Sequence, residues 1–120
     1  MEIIRKIDYD SFFIEYVCAF NGFLRLSKKE ILVLAELLKE EAKLGKENND
    51  LLFETTIRKR IQSKLKISVY NLNNYIAVLK TKGIIKEIDG RKRLNPKIIP
   101  VQDKQGKFVL TFNFIPHGKG

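Results

Sequence analysis

The chain has few residues with which to do covalent or metal chemistry. Its 120 residues include one cysteine, Cys18, one histidine, His117, one methionine and no tryptophan. A lone cysteine closes no internal disulfide, which makes a reducing cytoplasm the expected home. One Cys and one His far apart in sequence build no structural zinc site. No glycine spacing fits a P-loop or a dinucleotide fingerprint. Neither a metal, nor another cofactor, nor a small-molecule substrate is therefore expected, and an enzyme is poorly supported. His117 reads as a tail residue, and Cys18, set among aromatics, as a buried small hydrophobe. Long apolar runs are also missing: residues 31–35 form a stretch of five, against the ~20 residues of a membrane span. Charges from Glu2 onward argue against a secretory leader, so no membrane partner is expected.

At 14.0 kDa the chain suits one domain, and a hydrophobic share of 44% is enough for a core. Charge is more informative. Residues 1–50 carry eight basic and ten acidic side chains, whereas residues 51–120 carry fifteen basic and four acidic. A net charge of +9 distributed so unevenly points to one surface that meets a polyanion.

Six of the twelve aromatics fall before residue 26: Tyr9, Phe12, Phe13, Tyr16, Phe20 and Phe23. Ile3, Ile4 and Ile7 suit a short strand, residues 13–20 suit a strand or a short helix, and Asn21-Gly22 suits a turn. Ser27-Lys28-Lys29-Glu30 then has capping-box spacing. Ile31, Leu34, Ala35 and Leu38 follow as a helical stripe, broadened by Leu32, Val33 and Leu37, and Gly45 ends it. Leu51-Leu52-Phe53 is expected as a brief strand. Thr55 or Thr56 caps a second helix with Ile57, Ile61 and Leu65 inside. Ser68 caps a third, with Val69, Leu72, Ile76 and Leu79 inward, running to Lys82 and stopped by Gly83. Residues 84–88 read as a strand, Asp89-Gly90 as a tight turn, and Arg91-Lys92-Arg93 follow at once. Glu36, Glu40 and Glu41 are expected to pair with Lys39 and Lys43. Residues 98–101 and 107–115 flank a second turn, and Phe108, Leu110, Phe112 and Phe114 alternate on one face.

Helix, short strand, helix, tight turn, helix and hairpin is the order of a winged helix-turn-helix. The expected fold class is therefore α+β: three helices and a β-hairpin wing at 26–96, an aromatic extension at 1–25 packing on the core or a partner, and a hairpin and tail at 97–120. The segment SVYNLNNYIAVLKTKGII at 68–85 resembles the recognition helix and start of the wing of MarR-type regulators, with Leu79, Gly83, Ile84 and Ile85 at the positions that lock helix to wing. Residues 26–82, with Leu94-Asn95-Pro96, are also similar to the DNA-binding domains of some plasmid replication initiators. The resemblance implies helix 68–82 in the major groove and the 84–96 wing on the backbone or minor groove.

The residues themselves point the same way. Advancing 100° per residue from Leu72 turns Tyr70, Asn74, Ala77 and Thr81 away from the core, with Asn71 and Asn73 on the flanks and Tyr75 near the inner face. Tyr70, Asn71, Asn73 and Asn74 are the candidate base readers, since Asn grips adenine through two hydrogen bonds. Thr55, Thr56, Arg58, Lys59, Arg60, Lys64 and Ser68 are candidates for the DNA backbone. Arg91, Lys92 and Arg93, adjacent cations beyond a tight turn, are the candidate wing contacts.

The leading expectation is sequence-preferring binding of double-stranded DNA, by a transcription regulator or a plasmid or phage replication initiator in a bacterial cytoplasm. The alternative is a winged helix used as an interaction or structural module of a phage particle or larger assembly. RNA binding has only the outward Tyr70 in its favour. Leftover apolar surface is expected to fold back as core; if it pairs two copies instead, the homodimer suits a palindromic site.

Overall fold

The computed structural model describes residues 9–102, 105, 108 and 109. Within them the chain is α+β, with four α-helices and a two-stranded antiparallel hairpin. The fourth helix lies where the sequence left a strand and a short helix open, and it is longer than that reading at 16 residues.

That helix is α1 (Tyr9–Leu24), formed by the aromatic segment. Phe13, Tyr16, Val17, Phe20 and Leu24 recur at helical spacing, and the first three are buried. Asn21-Gly22 is not a turn but lies inside α1. The Asn21 side chain accepts from the Leu26 amide at 2.7 Å and donates to the Leu26 carbonyl at 3.2 Å. It thus satisfies the backbone beyond the helix end, and the reversal comes at Arg25, whose φ is 54°. Cys18 is exposed, not buried, because the helix turns it away from the Phe13–Tyr16–Val17 side.

Helix α2 (Lys28–Leu44) starts on the expected capping box: Ser27 Oγ accepts from the Glu30 amide, and Glu30 Oε1 accepts from the Ser27 amide at 2.9 Å. Val33, Leu34, Ala35, Leu37 and Leu38 are all buried, a face too broad for one neighbour. Accordingly α2 packs on α1 and on two later helices, α3 (Thr55–Leu65) and α4 (Val69–Thr81). Gly45 ends α2 at φ 78°.

No strand forms at Leu51-Leu52-Phe53. Residues Lys46–Leu51 wind into a 3-10 helix, and Leu52 drops into the core with no exposed surface. Short-range bonds from Asn48 to Gly45, Leu52 to Asn49 and Glu54 to Leu51 occupy the backbone groups that a strand would need for a neighbour. Glu54, not a threonine, is the N-cap of α3, and its side chain caps nothing.

Lys66 adopts the left-handed conformation at φ 55° to end α3, and Ser68 then caps α4 by accepting from the Asn71 amide at 3.0 Å. The inner face of α4 holds Leu72, Ile76 and Leu79, but Val69 is 56% exposed because the first turn overhangs the core. After α4 the amides of Gly83 and Ile84 bond the carbonyls of Lys80 and Leu79, the paired bonds of a Schellman ending, with Gly83 at φ 78°.

The chain enters β1 (Ile85–Ile88), which pairs with β2 (Arg91–Leu94) in the register Ile85↔Leu94, Lys86↔Arg93, Glu87↔Lys92, Ile88↔Arg91. Asp89 and Gly90 both have positive φ, 54° and 76°, as a two-residue type I′ loop requires. Ile84, Ile85 and Leu94 seal the hairpin base onto the core. A short turn at Pro96–Ile98 then returns to α1, where the Tyr16 hydroxyl donates to the Ile98 carbonyl at 2.7 Å. Beyond it β3 (Val101–Gln102) pairs antiparallel with β4 (Phe108–Val109). The expected strand at Ile3, Ile4 and Ile7, the outer positions Leu110, Phe112 and Phe114, and His117 lie outside the described residues.

Two tests of this packing follow. Leu79→Asp puts an unpaired charge among Leu72, Ile84 and Ile85, and the cooperative thermal transition in circular dichroism is expected to vanish. Burial pushes the Tyr16 hydroxyl from 10.0 up to about 12. The unfolded chain therefore ionises first: this contribution to stability is complete below pH 10.0 and is lost as pH rises toward about 12. Tyr16→Phe is expected to flatten that alkaline loss in urea titrations at stepped pH, although it also forgoes the bond to Ile98.

Candidate nucleic-acid interface

With its inner face anchored, α4 presents Tyr70, Asn71, Asn73, Asn74, Ala77 and Thr81 to solvent. Tyr70 is 71% exposed, and Tyr75 is half-buried. The Ser68 hydroxyl is engaged within its own helix. Thr81 likewise turns its hydroxyl back to the Ala77 carbonyl at 3.0 Å, leaving its methyl outward.

The two flanks of α4 have different neighbours. On one, Arg58 of α3 donates to the Asn73 side-chain oxygen, and Lys80 pairs with Glu87 of β1 at 2.5 Å. On the other, Lys82 donates to the carbonyls of Leu24 and Arg25 at the end of α1. The exposed face is thus bordered by α3 and the hairpin along one side only.

The four cations of α3 do not act together. Arg60 pairs with buried Glu40 of α2 at 2.7 Å, and Lys64 with Glu36 at 3.1 Å. Both sit on the α2 side of the helix, where they neutralise carboxylates that would otherwise face the core. Arg58 lies on the α4 side, and Lys59 is exposed. Glu41, also buried on α2, has its carboxyl pushed up by desolvation. Thr55 and Thr56 are exposed in the first turn of α3, whose leading amides receive no side-chain cap.

Arg91, Lys92 and Arg93 lie within β2 rather than at the hairpin tip, so they alternate between faces. Arg91 and Arg93 share a face with Lys86 and Ile88; Lys92 shares the other with Glu87, Ile85 and Leu94. Arg91 also approaches Asp50 at 3.6 Å. The Lys86↔Arg93 pair sets like charges directly opposite, an arrangement that destabilises a bare hairpin.

Three residues were absent from the sequence-based set. Lys86 was legible there, because a two-residue loop at Asp89-Gly90 forces it opposite Arg93. Lys80 lies 80° from Leu72 on the helical wheel, at the edge of the exposed face. Val69 had no signal in the periodicity, which assigned it inward.

No family model, curated protein or solved structure matches this chain. Among the described residues no group of His, Cys, Asp or Glu is placed to hold a metal, and no helix is long and apolar enough to cross a membrane.

Lys80 holds the Glu87 carboxyl below its ordinary range, by hydrogen bond and by charge. A lowered folded-state pKa makes the pair stabilising above the ordinary carboxylate range, and that contribution is lost as pH falls through the lowered value. Lys80→Ala is expected to return Glu87 to ordinary titration, read from its carboxyl carbon shift by NMR; an unchanged titration would break this assignment.

Proposed function

We propose that this chain is a winged helix-turn-helix protein that binds double-stranded DNA with a sequence preference. In this reading α4 enters the major groove, α3 lies across the backbone, and the β1–β2 hairpin is the wing, resting on phosphates or in the minor groove. The observation that carries it is the outer face of α4: exposed, uncharged, rich in donors and acceptors, and bordered by Arg58 and the basic hairpin. An α-helix fits the ~12 Å major groove, and neighbouring cations supply the contacts that fix register without reading sequence.

The like-charge Lys86↔Arg93 pair supports the same reading, since a phosphate strand beside the hairpin relieves its repulsion. Arg58 and Lys59, with the uncapped first amides of α3, offer anion contacts. Arg60 and Lys64 serve α2 and drop out of the backbone set. A regulator of transcription or a plasmid or phage replication initiator, working in a bacterial cytoplasm, is the role that follows.

A second reading, a winged helix serving as an interaction module or forming a homodimer, rests on a different surface. The outward side of α1 bears Ile14, Cys18, Ala19, Gly22 and Phe23, all exposed, with the charged Glu15 half-buried among them.

The test is affinity for duplex DNA as a function of salt. With Arg91, Lys92 and Arg93 all replaced by Ala, binding is expected to weaken on every sequence, and the log–log salt slope to fall by about one to three units. An unchanged slope removes the hairpin from the interface, and absence of duplex binding even at low salt favours the interaction module.

A further inference from the structure

Resting on the DNA reading, we infer that the outer face of α4 selects A·T base pairs through the major groove. In that groove guanine is gripped by Arg or Lys and cytosine by Glu or Asp; adenine is gripped by Asn or Gln, and the thymine methyl is met by apolar groups. Between Val69 and Thr81 the exposed residues are Val69, Tyr70, three asparagines, Ala77, Lys80 and Thr81. The only charged one, Lys80, lies in the last turn and is held by Glu87. The face therefore carries no free cation for guanine and no carboxylate for the cytosine amine.

It carries both halves of A·T recognition. The side-chain amides of Asn71 and Asn74 have no partner among the described residues. Each keeps an acceptor for the adenine amine and a donor for its ring nitrogen. They are three residues apart, a rise of about 4.5 Å along the helix, about an ångström more than the ~3.4 Å between neighbouring base pairs, a difference two Asn side chains can span. Asn73 differs: its oxygen accepts from Arg58, so it offers chiefly N–H donors. Val69, Ala77 and the Thr81 methyl, whose hydroxyl is occupied, are the apolar groups for thymine. Arg91 and Arg93 give the hairpin a compatible preference, because narrow A·T minor grooves attract arginine.

The experiment compares the full chain on three duplexes of equal length at one salt concentration: alternating A·T, alternating G·C and alternating inosine·cytosine. Inosine lacks the guanine 2-amino group, so the third duplex resembles A·T in the minor groove and G·C in the major groove. A·T is expected to bind at least about tenfold tighter than both others. The exposed double substitution Asn71→Ala with Asn74→Ala is expected to bring the ratio toward one with little change on G·C. If A·T and inosine·cytosine bind alike and above G·C, selection occurs in the minor groove and the inference falls. Equal affinity for all three overturns the inference and leaves DNA binding standing. Failure to bind any of them overturns both.

Discussion

The face that α4 offers to solvent is determined by the face it cannot release. Leu72 and Leu79 retain no exposed surface and Ile76 little, and all three lie in the core that α2 organises. Rotating α4 by even one residue, about 100°, would withdraw all three side chains from the core, at a cost of several kcal/mol. The Schellman ending adds an end stop, since Gly83 and Ile84 bond back to the last turn and Ile84 and Ile85 join the same core. The chemistry of the outer face is therefore presented in one orientation, and the hairpin leaves the helix at a fixed place.

Charge is distributed with less economy than the sequence total suggests. Part of the basic excess in the second half neutralises acidic residues in the first: Arg60 with Glu40, Lys64 with Glu36, Arg91 with Asp50. These pairs link α3 and β2 to the earlier part of the chain. The exposed pairs are worth little in stability, whereas Glu40 is buried and would be left uncompensated without Arg60. On one face of the hairpin the basic excess is not neutralised across the strands. There Lys86 and Arg93 face each other with no acidic residue opposite either.

Much of this was legible in the sequence where a local signal and the tertiary demand coincide. Ser27 with Glu30, Ser68, Gly83 and Asp89-Gly90 are such places, and each does what its chemistry prescribes. The misses fall where tertiary context overrides a local preference. Asn21-Gly22 carries turn chemistry, yet its asparagine serves the turn from inside a helix. Leu51-Leu52-Phe53 is apolar and β-prone in appearance, yet only Leu52 is needed by the core. Val69 continues the inward periodicity but belongs to a first turn with nothing beneath it. At the candidate site, the outward direction of Tyr70, Asn74, Ala77 and Thr81 followed from periodicity. The diversion of Arg60 and Lys64 did not, because it depends on a helix twenty residues earlier in sequence.

The contacts made by α1 extend beyond the helix itself. Phe13, Tyr16 and Val17 share one core with Leu72, Leu79 and Leu94, Tyr16 holds the Pro96–Ile98 turn, and Lys82 closes the far end of α1. The portion that looks self-sufficient, from Leu26 to the end of the hairpin, is thus not a detachable cassette. Grafting it onto another scaffold would require the aromatic helix to travel with it, as both lid and keystone.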